Sequence, residues 1–191
     1  MIYYLAHSYW ILKRSRTDIV EKLNTDFKIS SICPLSEGDI EKNKTYFEKI
    51  NWEIDRTKLL DTNSLIKLRK ILNSICDESI IHIFTIKSLY IFIISTIFLK
   101  KKFKVIVSIT GLGFIFADSF LAKILKNLVR PIILLRINKI VQLIIFQNKS
   151  NMETFTKYSN YKNNLKIIEG SGLNISDFKT KNDNELKKII F

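Results

Sequence analysis

The chain has 191 residues, and 47% of them are hydrophobic, which is enough to build the core of one ordinary domain. Its formal net charge of +13 favours anionic partners, such as nucleic acid, an acidic membrane surface or a phosphorylated substrate. This composition argues against a disordered chain, and Cys33 and Cys76 lie too far apart to indicate a zinc site or a disulfide framework.

Apolar strands alternate with helices along the first half of the chain. The predicted elements are a strand at 1–6, a helix at 17–23 with Thr17 as N-cap, strands at 27–32 and 50–54, and a helix at 64–75 with Asn63 as N-cap. In this last helix Leu65, Leu68 and Leu72 recur at helical spacing. We expect that face to pack on a sheet.

The second half continues the same alternation. The predicted elements are a strand at 80–84, a buried helix at 88–99, a strand at 104–109, helices at 118–129 and 132–140 separated by Pro131, a strand at 141–146, a helix at 150–158 and a strand at 166–168. Asp118 and Ser150 are the predicted N-caps of two of these helices. Strands separated by helices imply right-handed crossovers, so the predicted fold is α/β, with a single Rossmann-like parallel sheet flanked by helices.

The longest apolar run without a charged residue, at 88–99, is too short for a membrane span. It has about 12 residues, whereas a spanning helix needs about 20. A helix that covers a parallel sheet also gives a continuous apolar run. Residues 1–6 have no basic leader and no small-residue cleavage site, so we expect a cytoplasmic protein.

Polar and glycine residues that follow the predicted strands are the candidate site residues, because open parallel sheets bind ligands there. His82 can bind a sugar hydroxyl or be a hydrogen-bonded strand residue, and Lys87 can contact a phosphate or be solvated. Residues 110–113 lack the third glycine of a dinucleotide fingerprint, so they form either a phosphate cradle or a tight turn. The candidates are His82, Thr85, Lys87, Thr110, Gly111, Gly113, Gln147, Asn148, Gly170, Ser171 and Gly172.

Several kinds of chemistry find no support in the sequence. No two carboxylates lie close together at strand ends, so no residue is assigned a catalytic role. His7 and His82 lie on separate strands and no Asp-x-Asp is present, so neither a metal nor another cofactor is predicted. His7 is expected to be structural or to line the cleft. Nucleic acid is not an expected partner, because no nucleic-acid-binding motif accompanies the positive charge.

Four segments, taken in order, resemble the amino-terminal domain of family 4 glycosyltransferases. They are HIFTIK at 82–87, SITGLGFIF at 108–116, IIFQN at 144–148 and EGSGLN at 169–174. Arg16 and Asp18 look like the Arg-x-Asp segment that opens the family's first helix, whereas HSYW at 7–10 replaces its glycine-rich turn. Many relatives have histidine where Thr110 stands, and the TGLG form is similar to the subgroup that acts on lipid-linked sugars.

The resemblance implies the amino-terminal lobe of a GT-B enzyme, in which two Rossmann-like lobes face a cleft. Residues 1–178 are then the acceptor-side domain, and residues 179–191 are a linker and the start of an absent carboxyl-terminal lobe. The nucleotide sugar is expected to bind only if that lobe is supplied, so the chain alone is expected to be inactive.

The implied reaction transfers a sugar to a lipid-linked glycan during synthesis of capsule, lipopolysaccharide or exopolysaccharide. Such an enzyme would lie peripherally on the inner face of the plasma membrane, an anionic surface. The lysines expected to face it are Lys100, Lys101, Lys102 and Lys104. The alternative is a non-catalytic remnant or a membrane-surface binding module.

Overall fold

A computed structural model describes residues 1–35, 48–55, 61–113, 116 and 120–170. In this part of the chain seven parallel strands form one sheet, and helices flank it, so the predicted fold class is confirmed. The strands are β1 (Ile2–Ala6), β2 (Ile29–Cys33), β3 (Glu48–Asn51), β4 (Ile80–Phe84), β5 (Lys104–Ile109), β6 (Val141–Phe146) and β7 (Asn164–Ile167). The helices are α1 (Tyr9–Leu23), α2 (Thr62–Ser74), α3 (Ile86–Ser95), α4 (Phe120–Ile140) and α5 (Lys149–Ser159).

The strands lie in the order β3-β2-β1-β4-β5-β6-β7, so the side of the sheet on which new strands are added changes at β1 and β4. From β1 the chain adds β2 and β3 on one side, and it then returns to add β4 to β7 on the other. Because crossovers are right-handed, a reversal of direction moves the connecting helices to the opposite face of the sheet. The gap beyond the carboxyl ends of β1 and β4 is therefore the switch point at which such sheets bind ligands.

Each face of the sheet has its own apolar core, because successive residues of a strand point to opposite faces. Tyr3 and Leu5 of β1 face the larger core, which α2, α3, α4 and α5 cover. Ile2, Tyr4 and Ala6 face a smaller core, to which α1 contributes its buried side chains. All five residues of β1 are buried, as expected for a central strand of a parallel sheet.

The first helix begins earlier than predicted. Ser8 has an extended backbone and precedes α1, which starts at Tyr9, so Thr17 lies inside the helix and the predicted N-cap was wrong. Ser8 is of a residue type that is favoured at N-caps, but its side chain makes no cap hydrogen bond. Tyr9 and Leu12 are buried in the smaller core, so packing stabilises the first turns.

The helices of the second half also differ from the prediction in detail. Helix α4 runs continuously through Pro131, where two helices were predicted. Pro131 and Asn127 are exposed, so water can hydrogen-bond the carbonyl oxygen that a proline leaves without its N–H donor. Asp118, the predicted N-cap, lies outside the described residues.

Two other helices begin with caps that the sequence did not predict. The Asp61 carboxylate accepts a hydrogen bond from the Asn63 N–H at 3.1 Å, so Asp61 is the N-cap of α2 in place of Asn63. The Asn148 side chain accepts from the Asn151 N–H at 2.8 Å and caps α5 in place of Ser150. Both caps lie two residues before the predicted ones.

Candidate functional site

A cavity of about 230 Å³ opens on the face of the sheet that carries α1. Strands β1, β4, β5 and β6 contribute to it, together with the segment after β7 and one side of α1. It is smaller than the usual pocket of a drug-sized ligand, so it suits one sugar-sized group. The residues described along its lining are Tyr4, Arg16, Ile19, His82, Ser108, Ile109, Thr110, Ile145, Gln147, Ile168 and Gly170.

His82 lies in the middle of β4 and faces this cavity. Its Nε2 atom is 2.8 Å from the Ser108 hydroxyl oxygen, and its ring stacks on Phe84 at 4.3 Å between centroids. Burial and the nearby positive charge of Arg16 lower the pKa of His82 to about 3. The imidazole is therefore uncharged at neutral pH, and it can act as a hydrogen-bonding group but not as a cation. It is a hydrogen-bonded strand residue, which was one of its two predicted roles, and it also lines the cavity.

Arg16 reaches the cavity from α1. Its guanidinium carbon lies 4.9 Å from the centre of the Phe84 ring, an arrangement in which the aromatic face attracts the cation. Burial lowers the pKa of Arg16 from its usual value. The register places Tyr4 of β1 opposite His82 of β4, so the aromatic floor of the cavity is continuous across both strands.

His7 and Thr85 meet at the switch point, beyond the carboxyl ends of β1 and β4. The His7 Nδ1 atom lies 2.8 Å from the Thr85 Oγ1 atom. Thr85 has φ of 78°, which is unusual for a β-branched residue, and its backbone N–H donates to the Ser108 carbonyl oxygen at 3.1 Å. The structure thus gives His7 a structural contact at this edge of the sheet.

The glycine segment after β5 is divided between the cavity and a turn. Thr110 lines the cavity, whereas Gly113 has φ of 65° and its carbonyl oxygen accepts from the Phe116 N–H at 3.1 Å. That left-handed conformation favours glycine, so the turn interpretation fits Gly113. Gly111 is exposed, with open space where a Cβ atom would lie.

Of the other candidates, Gln147 and Gly170 also line the cavity. Lys87 does not, because its ammonium group donates to the Asp55 carbonyl oxygen at 2.9 Å. Asn148 caps α5 at the exposed surface. Ser171 and Gly172 lie outside the described residues.

The predicted membrane-facing lysines lie at the opposite edge of the sheet from the cavity. Lys104 begins β5, whereas Ser108 and Ile109, which line the cavity, lie at the other end of that strand. Lys101 donates to the carbonyl oxygens of Asn73 and Ile75, and it therefore neutralises the carboxyl end of α2. Lys100 and Lys102 are exposed beside Phe98, whose side chain is 88% exposed.

The sequence singled out His82 but not the other cavity residues that lie inside elements. Tyr4 and Ser108 lie within strands, and the rule that ligands bind beyond strand ends does not select such residues. Arg16 had one signal, its place in the Arg-x-Asp segment, but its approach to His82 depends on how α1 packs. A search for polar side chains on the α1 face of each strand would have found Tyr4, His82 and Ser108 together.

No described helix combines the length and apolar character needed to cross a membrane. A family model described as "Glycosyl transferase 4-like" matches residues 2–148, which is more than half of the chain and includes β1 to β6. No curated protein sequence matches the chain. The match covers all four strands that contribute to the cavity and extends the resemblance to the first third of the sequence. The chain therefore belongs to the glycosyl transferase 4-like family.

Proposed function

We propose that this chain is the acceptor-binding domain of a glycosyltransferase that transfers a sugar from a nucleotide sugar to a lipid-linked glycan. The observation that carries the proposal is the cavity beside the switch point of a sheet that belongs to this family. Its size and its mixture of aromatic, hydroxyl and amide groups suit a sugar ring. Synthesis of a capsule, lipopolysaccharide or exopolysaccharide is the process that fits such an acceptor.

The reaction sets the demands on this domain. An acceptor hydroxyl oxygen forms a bond to the anomeric carbon of the donor, and the bond from that carbon to the diphosphate oxygen breaks. The nucleoside diphosphate leaves with the bonding electrons, and the hydroxyl proton is released. The domain must therefore hold one acceptor hydroxyl in line with the donor, which a carboxyl-terminal lobe of the GT-B type would bind.

The cavity side chains can supply this positioning. His82 is uncharged and Ser108 fixes its ring, so it presents a preorganised hydrogen-bonding group. The side chains of Thr110 and Gln147 line the same space and offer hydroxyl and amide groups. Tyr4 and Ile145 add apolar surface on which the carbon face of a sugar can lie.

A transfer assay tests the proposal. The chain would be combined with a carboxyl-terminal lobe of the GT-B type, a panel of labelled nucleotide sugars and lipid-linked glycans extracted from the source membranes. We expect label in the lipid fraction, and a loss of at least about tenfold in His82→Asn if one positioned hydrogen bond is removed. The exposed Lys70→Ala variant on α2, away from the cavity, is the control and should keep full activity.

Two outcomes would contradict the proposal. One is the absence of label in every glycan although the combined polypeptides are folded. The other is full transfer by a His82→Asn, Gln147→Ala double variant, which would remove the acceptor from this cavity.

The second candidate function is binding to an anionic membrane surface, and helix α4 favours it. Its exposed side chains include Lys123, Arg130 and Lys139, and between them Leu135 is 71% exposed. Basic and large apolar side chains on one helix face are typical of segments that lie on a membrane. This function is compatible with catalysis, because a lipid-linked acceptor is presented at the membrane.

A further inference from the structure

The cavity has a positive charge that a neutral sugar does not need. Of the described residues that line it, Arg16 alone is charged at neutral pH, and none is Asp or Glu. His82 does not add to this charge, since its imidazole is neutral. The described part of the lining is therefore positive in charge, which favours an anionic ligand.

Arg16 is held where it can act on a ligand. Phe84 supports the guanidinium group from one side at 4.9 Å, and α1 fixes its backbone. An arginine presents five N–H donors in one plane, which matches the oxygens of a phosphate or a carboxylate. Burial disfavours the charged form of Arg16, and an anion in the cavity would favour that charged form.

Uncharged hydroxyl and amide groups also line the cavity. Ser108 and Thr110 present hydroxyl groups at the end of β5, and Gln147 presents an amide at the end of β6. Such groups can bind phosphate or carboxylate oxygens without a charge of their own. Arg16 lies across the cavity on α1, so an oxyanion between the two sides would be held from both.

We propose that the cavity binds an anionic sugar of the acceptor, phosphorylated or carboxylated, with Arg16 on its oxyanion and Thr110 and Gln147 beside it. The choice of a sugar rests on the proposed function, whereas the choice of an anion rests on the cavity alone. A phosphate and a carboxylate share the required chemistry, and the experiment separates them.

The test is calorimetric titration of the full chain with four probes: glucose 1-phosphate, glucuronate, glucose and uridine diphosphate. We expect one of the two anionic sugars to bind and glucose to bind at least about tenfold more weakly, as one charge-assisted hydrogen bond implies. Arg16→Gln should weaken the anionic sugar roughly 10- to 100-fold, and Arg16→Lys less. Arg130→Gln is the matched control, because Arg130 also lies over an aromatic ring, that of Tyr158, outside the cavity.

Variants of Gln147 provide a second test that remains valid if the Arg16 variants misfold. Gln147→Glu adds a negative charge to the cavity lining and leaves Arg16 in place, so it should also weaken binding of the anionic sugar, and more than Gln147→Asn, which keeps a neutral amide. Unchanged binding in both Arg16→Gln and Gln147→Glu would overturn the anion site.

The remaining outcomes separate this inference from the proposed function. Equal binding of glucose and both anionic sugars would overturn the inference and leave a sugar-binding domain. Binding of uridine diphosphate that depends on Arg16, with no binding of either anionic sugar, would assign the site to the donor and overturn the acceptor assignment. Binding of an anionic sugar with no transfer in the complete assay would support the inference and contradict the proposed enzyme.

Discussion

His82 is an uncharged imidazole in a chain with a large positive charge. The group loses its proton on folding, because burial and Arg16 lower its pKa to about 3, whereas an unfolded histidine has a pKa near 6.5. Between these two values the unfolded state binds more protons than the folded state. The free energy of unfolding that depends on the uncharged His82 is therefore at its maximum above about pH 6.5. It decreases as the pH falls towards 3.

This difference predicts an acid-sensitive stability. Between pH 7 and pH 5 the free energy of unfolding should fall by about 1 to 2 kcal/mol through His82 alone. Urea unfolding of the native chain and of His82→Gln at both pH values measures it. His7 is present in both proteins, so the difference between their pH dependences isolates His82. Identical pH dependences would contradict the lowered pKa.

Thr85 stores backbone strain at the switch point. A β-branched residue at φ of 78° costs about 1 to 3 kcal/mol, and the contact with His7 offsets part of that cost. We expect Thr85→Gly to be more stable than Thr85→Ala by about 1 kcal/mol, because both lose the hydroxyl group and only glycine relieves the strain. Denaturant midpoints of the two variants test this. If alanine is equally stable, the strain assignment is wrong.

The candidate site was predictable only in part at this scale. His82, Thr110, Gln147 and Gly170 lie in or just after strands, where ligands of parallel sheets bind, and all four line the cavity. Arg16 approaches His82 from another element, and only the packing of α1 fixes that approach. Polar residues near strand ends can also have structural roles. Lys87 binds the Asp55 carbonyl oxygen, and Asn148 caps α5.

At the scale of elements, the N-cap of α5 tests whether Asn148 has a structural role or a ligand-binding role. Asn148→Ala should lower the free energy of unfolding by about 1 kcal/mol, since it removes the bond to the Asn151 N–H. Asn148→Asp should keep most of the stability. Asn151→Ala is the control and should change stability by less than about 0.5 kcal/mol, because Asn151 contributes its backbone to this cap. If Asn148→Ala leaves the free energy of unfolding unchanged, water replaces the cap hydrogen bond.

The strands were easier to predict than the helices, for a physical reason. A buried parallel strand is a short run of β-branched and aromatic residues, and each of the seven described strands overlaps or lies next to a predicted one. Helix starts depend on caps, and Ser8 begins α1 without a side-chain cap bond. Pro131 was expected to divide α4. The helix continues because Pro131 lies on the exposed side, where water can bind the carbonyl oxygen that lacks a donor.

At the scale of the molecule, the net charge of +13 predicts salt-sensitive binding to anionic vesicles. Flotation with vesicles of anionic phospholipid, against neutral vesicles, measures it. If the exposed face of α4 makes the contact, Lys123→Gln with Lys139→Gln should reduce bound protein severalfold, and Leu135→Ser should reduce it further.

The competing surface has its own variants. Lys100→Gln with Lys102→Gln removes the same charge from the segment before β5, so it is the matched comparison. A larger loss of vesicle binding in that pair would assign the membrane contact to the segment before β5. Equal binding by all variants to both kinds of vesicle would contradict a specific membrane surface.

The reversal of strand order also affects how the chain acquires its fold during synthesis. His7 and Thr85 follow the central neighbours β1 and β4, and they are 78 residues apart in sequence. At ribosomal rates of about 5 to 20 residues per second, β1 waits roughly 4 to 16 seconds for that neighbour. During this interval an apolar strand that is wholly buried in the native sheet has one unpaired edge. The nascent chain should therefore depend on chaperones until β4 has emerged, and faster translation of residues 34–80 should improve its yield.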